Sequence, residues 1–283
     1  MARAIDLIER DIAALQEAIQ AIAAELYSAY ASYLTTLGQA LQKQLILASY
    51  HLCTQGYPEN FLSLSLNQRQ QLQQAIRNLG QQAAELLLTC IKNENNQEDE
   101  EDEEDEEDEV VTYFLSDASN LPRITSFPKI FTPDPSNPIE LAQWQQSLEE
   151  MTQQVLKNVS HEANLLLQKA SILPKKLPEP VLEAAAAVSE ASAEVMPGPP
   201  NLLNLVIEIE NEQDAEDSSL TQIMAINLRL GEIEFADATL ASARRQIRNV
   251  LVQLNKLGRE YQKKQQERSV AEAEAAWRAS WFE

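Results

Sequence analysis

IDLIERDIAALQEAIQAIAAELYSAYASYLTTLGQALQKQLILASYHL, residues 5–52, decides how this chain folds. Ile5, Ile8, Ile12, Leu15, Ile19, Ile22 and Leu26 alternate steps of three and four, the spacing that keeps an apolar seam on one face of a helix. The seam runs on through Ala29 and Tyr33 and then shifts to Leu37, Leu41, Leu45, Ala48 and Leu52. That run of fours resembles a stutter, which locally unwinds a coiled coil. Gly56, Tyr57 and Pro58 end the segment. One helix from Ile5 to Leu52 would span about 70 Å at 1.5 Å per residue.

Proline marks the other boundaries, because it removes a backbone donor and clashes with the preceding turn. All twelve prolines fall at Pro58, between Pro122 and Pro138, or between Pro174 and Pro200. After Pro58, Ser65 and Gln68 form a capping box for a second helix, whose stripe is Leu72, Ile76, Leu79, Ala83, Leu86 and Cys90. This helix and the first predict an antiparallel hairpin. The hairpin covers about half of the first helix, so the N-terminal half needs another partner. Asn137, Pro138 and Glu140 make a strong start for a third helix: a cap, a proline at the first position and an early acid. Its stripe is Leu141, Trp144, Leu148, Met151, Val155, Val159, Ala163 and Leu166. A short alanine-rich helix is expected over Val181–Val195.

The last helix is expected from Ser218 or Ser219 to the end. Its stripe runs Ile223, Ile226, Leu230, Ile233, Ala236, Leu240, Ala243, Ile247, Val250, Leu254, Leu257 and Tyr261. The step from Ile233 to Ala236 breaks the alternation as a stammer does. Two long seams of similar length suggest that they pack together, within one chain or between chains. The seam residues that matter most are Ile12, Leu15, Ile19 and Ile22, with Leu240, Ile247 and Leu254 opposite them. VVTYFL, Val110–Leu115, and LLNLVIEIE, Leu202–Glu210, are candidate strands that could pair as a small ribbon.

These signals divide the chain into a helical hairpin (1–92), an acidic and proline-rich linker (93–137), a third helix (138–173), a Pro/Ala-rich connector (174–217) and a basic amphipathic helix (218–283). The predicted class is all-α: an elongated helical hairpin or coiled-coil bundle with a disordered acidic and proline-rich middle. Six glycines and 6% aromatic residues argue against an all-β fold, which needs tight turns and aromatic strand positions.

Charge sharpens this picture. Acids outnumber bases 44 to 22, a formal charge of −22, and twelve of the acids form an unbroken block, Glu98–Glu109. Without that block the remainder is ordinary, and such a run cannot enter a core. Between Arg244 and Arg268 the sign reverses: Arg244, Arg245, Arg248, Lys256, Arg259, Lys263, Lys264 and Arg268 face only Glu260 and Glu267. Such a stretch is the polar side of an amphipathic helix or a docking face for a polyanion or anionic membrane. The acidic block could fold back and mask it. Trp277 and Trp281, four apart on one helical face, and Phe282 close the chain; they read as packing within the protein, as a partner-docking anchor, since tryptophan contributes disproportionately at interfaces, or as a membrane-surface anchor. Tyr27, Tyr30 and Tyr33 read as residues of a core edge.

Catalytic and metal signals are weak. His161-Glu162 begins like a zinc-protease helix, but Leu165 stands where a second histidine is required. No glycine-rich phosphate loop and no Gly-x-Ser-x-Gly elbow occurs. His51 and Cys53 are two apart and point to different helix faces. Cys53 and Cys90 read as reduced thiols at opposite ends of the hairpin, too far apart to bond. No run of about 18 apolar residues suggests a membrane span, and no N-terminal leader pattern appears. The expectation is a cytoplasmic, non-enzymatic scaffold or adaptor without metal or cofactor, assembling through its seams with unidentified proteins or with itself. The alternatives are a polyanion- or nucleic-acid-associated protein and a peripheral membrane-surface protein.

Overall fold

The computed structural model describes residues 2–92, 131–174, 199–209 and 219–281. The acidic block Glu98–Glu109, the strand candidate Val110–Leu115, the alanine-rich segment Val181–Val195 and Phe282 lie outside the described residues. The described residues form an elongated all-α bundle with one small β-ribbon.

Helix α1 (Ala2–His51) runs into a π-helical turn, Leu52–Gly56, closed by the Tyr57 N–H donating to Leu52 O at 2.9 Å. A short α2 (Pro58–Ser63) reverses the chain, and α3 (Leu66–Lys92) returns along α1. The capping box forms at its start: the Ser65 N–H donates to Gln68 Oε1 at 2.9 Å, and the Gln68 N–H to Ser65 Oγ at 3.3 Å. Small residues set the spacing of this hairpin. A Cβ added at Gly38 would meet the Ala84 Cβ at 2.9 Å, and one at Gly80 would meet the Gln42 Cγ at 3.2 Å. Along α3, Leu72, Ile76, Leu79 and Ala83 are buried as the spacing predicts, but Leu87 rather than Leu86 completes the buried stripe.

Helix α4 (Pro138–Lys169) begins where the cap signal placed it, with the Ile139 N–H donating to Asn137 Oδ1 at 3.0 Å. It runs parallel to α1. Trp144 meets Tyr27 and Tyr30 edge-on at 4.7 and 5.6 Å, and farther along the Asn60 side chain donates to Ile172 O at 2.8 Å. The predicted stripe is in the core except for the half-buried Met151, and a second one, Thr152, Leu156, Ser160, Asn164 and Leu167, is buried beside it. The second stripe exists because α4 packs against both α3 and the ribbon.

That ribbon corrects one expectation. Strand β1 (Leu202–Ile209) pairs antiparallel with β2 (Ser219–Ile226), with Leu202 opposite Ile226 and Ile209 opposite Ser219. The last long helix therefore does not begin near Ser218. Residues 223 and 226 satisfy a helical stripe, but side chains from elsewhere hold the open edge of β2. The Tyr57 hydroxyl accepts from the Met224 N–H at 3.0 Å and donates to its carbonyl at 3.2 Å. The Asn164 amide pairs with both the N–H and the carbonyl of Ile226, each at 2.9 Å. These bonds replace a third strand and satisfy backbone groups that burial would otherwise leave orphaned.

Helix α5 (Leu230–Ala236) follows, and the break in periodicity at Ala236 is a true break in the helix. Asp237 caps the start of α6 (Ala238–Ser280), accepting from the N–H groups of Thr239 and Leu240 at 2.9 and 3.2 Å. Helix α6 lies antiparallel to α1. Tyr33 meets Arg244 near one end, and Asp11 meets Lys264 at 3.0 Å near the other. Interpolating between these contacts places Ile22 level with Leu254 and Tyr30 level with Ile247. Both seams are thus closed within one chain: Ile12, Ile19, Leu240, Ile247 and Leu254 are buried, and Leu15 and Ile22 half-buried.

The molecule has two regimes along α1. In the body, α3, α4, α5 and α6 pack around it, and Leu34, Leu37, Leu41, Leu45 and Leu52 are fully buried. A step of four residues rotates about 40° around a helix with 3.6 residues per turn. The run of fours therefore winds the apolar surface around α1 toward several partners. In the other regime the first turns of α1 project with the later turns of α6 as a two-helix arm.

Candidate interaction surface

The basic run divides between interior and exterior. Arg244, expected on the docking face, turns into the body, where its side chain is 13% exposed. Its guanidinium lies over the Tyr33 ring, 4.5 Å from the centroid. Nε donates to Glu234 Oε1 at 2.6 Å, and Nη2 to Glu149 Oε2 at 2.9 Å and to the Tyr33 hydroxyl at 2.9 Å, while Nη1 reaches Glu149 Oε1. The Tyr30 and Tyr33 hydroxyls donate to Glu149 and Glu234 at 2.6 and 2.7 Å. One arginine thus ties α1, α4, α5 and α6 together. Burial pushes the Glu149 carboxyl up, but bonds from Arg244 and Tyr30 and the arginine's charge outweigh it and hold the group below its ordinary range. Burial chiefly raises both tyrosines. The cluster is a packing device, a planar fork matched to carboxylates. Its acidic members were invisible in the sequence, because Glu149 lies 119 residues from Tyr30 and Glu234 lies 201 from Tyr33.

Five of the remaining seven cations look outward, while Arg268 is half-buried and pairs with Glu272 at 3.4 Å. Arg245, Arg248, Lys256, Arg259 and Lys263 are exposed. Lys264 instead bridges Asp11 and Glu267, at 3.0 and 3.1 Å, and so ties the arm together. At about 100° per residue, the five exposed cations fall in one strip about 100° wide, opposite the seam. The same strip continues through Val252, Glu267, Val270 and Glu274 to Trp277 and Trp281. Val252, Val270 and the two tryptophans are 68%, 52%, 66% and 66% exposed. The indole rings lie 5.5 Å apart at 41°. Alongside, Ile8, Val270 and Ala271 line a shallow open groove of about 490 Å³, flanked by Lys263, Glu267 and Glu274.

No protein-family model, no curated protein and no solved structure matches this chain.

Chemistry elsewhere is sparse. Among the described residues no group of three or more His, Cys, Asp or Glu is placed to hold a metal ion, and no helix is long and apolar enough to cross a membrane. Cys53 and Cys90 are free thiols. Burial pushes both up to about 11, so both are protonated at neutral pH. Cys90 Sγ lies 2.8 Å from Met151 Sδ, between α3 and α4.

Proposed function

We propose that this chain is a non-enzymatic interaction protein, a scaffold or adaptor that docks through the outward face of α6. The observation that carries the reading is the exposed tryptophan pair in line with five exposed cations. A soluble surface seldom spends two adjacent indoles on water, and tryptophan and arginine are the side chains that dominate interface energies. Because α1 and α6 fill each other's seams, assembly falls to this outward face. The test is capture from native cells by the intact chain and by Trp277→Ala/Trp281→Ala. Loss of a defined set of captured proteins is expected, and identical sets from both would break the reading.

The cations favour one second reading, association with a polyanion. Neutralised phosphates release counterions, so binding to duplex DNA or RNA would fall steeply with salt. Glu267 and Glu274 on the strip, and a formal chain charge of −22, oppose it. Absence of a salt slope excludes it.

A further inference from the structure

The outward strip of α6 complements itself when reversed, and we infer that its occupant is the same strip of a second copy, packed antiparallel about a two-fold axis level with Gln265. This inference rests on the reading of α6 as the docking face. With that axis, Lys263 meets Glu267 of the other copy and Lys256 meets Glu274. Val252 meets Trp277, and Arg248 lies over Trp281. The midpoint of every pair falls at 264.5 or 265 in the numbering, so one axis serves all four within half a residue. Two-fold symmetry repeats each pair, as in an isologous interface.

The chemistry of each pairing is favourable. Two pairs join opposite charges, one covers an exposed valine with an indole, and one sets a guanidinium on a tryptophan face. Arg259 faces Val270, where its aliphatic stem covers the apolar side chain. A parallel, in-register arrangement would instead set Lys256 against Lys256 and Lys263 against Lys263, so charge selects the antiparallel one. From Arg248 to Trp281 the contact runs about 50 Å. It accounts together for the five exposed cations of the strip and the exposed tryptophan pair.

Sedimentation velocity on the full chain over a concentration series tests the inference. A concentration-dependent dimer is expected. Lys256→Glu/Lys263→Glu and, separately, Glu267→Lys/Glu274→Lys should each weaken it by about tenfold or more, equivalent to about 1.4 kcal/mol. Combining all four substitutions should restore it, because both partners of every pair are then reversed. Trp277→Ala/Trp281→Ala should also dissociate it with helical circular dichroism unchanged. Val252→Cys/Trp277→Cys should give a disulfide-linked dimer on oxidation, since the two positions are too far apart along one helix to bond to each other. A chain that stays monomeric overturns the self-pairing, and so does a monomer that moves onto anionic vesicles or DNA through the same strip. In either case the docking reading stands or falls separately, on tryptophan-dependent capture. A dimer untouched by the charge reversals also overturns it.

Discussion

The body and the arm are built from the same two helices, yet they hold together differently. In the body α1 is enclosed, with Leu34, Leu37, Leu41 and Leu45 fully buried and an arginine forked between two glutamates. In the arm α1 has one partner, and over its first turns Ile12 is buried while Ile8 and Leu15 are half-buried and Leu7 is 60% exposed. A seam between two helices leaves most of each helix wet, whereas a position inside a bundle is covered from several directions. Stability therefore belongs to the body and availability to the arm.

Removing the arginine should break the body most severely. Arg244→Met leaves Glu149 and Glu234 desolvated without their cation, at a cost of about 3–5 kcal/mol by chemical denaturation. The loss should depend on pH. Glu149 is held below its ordinary range in the folded chain. Its contribution is therefore present above the unfolded value of about 4.3 and is lost as pH falls through the depressed folded value. The variant's deficit relative to the natural chain should shrink in that acid window, and a deficit constant with pH would refute the assigned role.

Leu41→Ala should cost about 3 kcal/mol, because the surrounding helices cannot collapse onto the cavity. Ile12→Ala, in the arm, should cost less, about 2 kcal/mol. The arm substitution should accelerate amide exchange in the first turns of α1 while leaving the body protected. Uniform acceleration throughout the chain would erase the distinction between the two regions.

The smallest folding effect is expected at the exposed tryptophan pair. Trp277→Ala/Trp281→Ala should change stability by less than about 0.5 kcal/mol, as surface substitutions usually do. A larger loss that persists at dilutions where the chain is monomeric would mean that the indoles pack within the chain. Tyrosine titration separates the regions once more. Tyr30 and Tyr33 are raised above their ordinary value, mainly by burial. Their contribution is therefore present below about pH 10 and is lost as the pH climbs past it. Absorbance should show both phenols ionising only together with unfolding.

The local signals in the chain were legible where a rule involves neighbours. The seams of α1 and α6, the capping box at Ser65 and the cap at Asn137 depend on residues within a few positions of one another, and each appears where the spacing placed it. Two features escaped for one shared reason. Residues Ser219–Ile226 read as helix, because Ile223 and Ile226 suit that period; the edge of β2 is held by Tyr57 and Asn164, which lie 167 and 62 residues from their partners. Arg244 read as one more cation of a basic face, because its carboxylates lie on α4 and α5.

Composition and periodicity by themselves determined that this chain is helical, where its described long helices α1, α3 and α4 begin or end, and that two long apolar seams must be covered. Helical periodicity and capping act over one or two turns, so they are written in the order of the residues. Tertiary structure decided that the seams cover each other within one chain, that one segment becomes a ribbon, and which cations face inward. Those choices turn on satisfying buried backbone groups and charges with partners far away in the chain, and only folding brings such partners together.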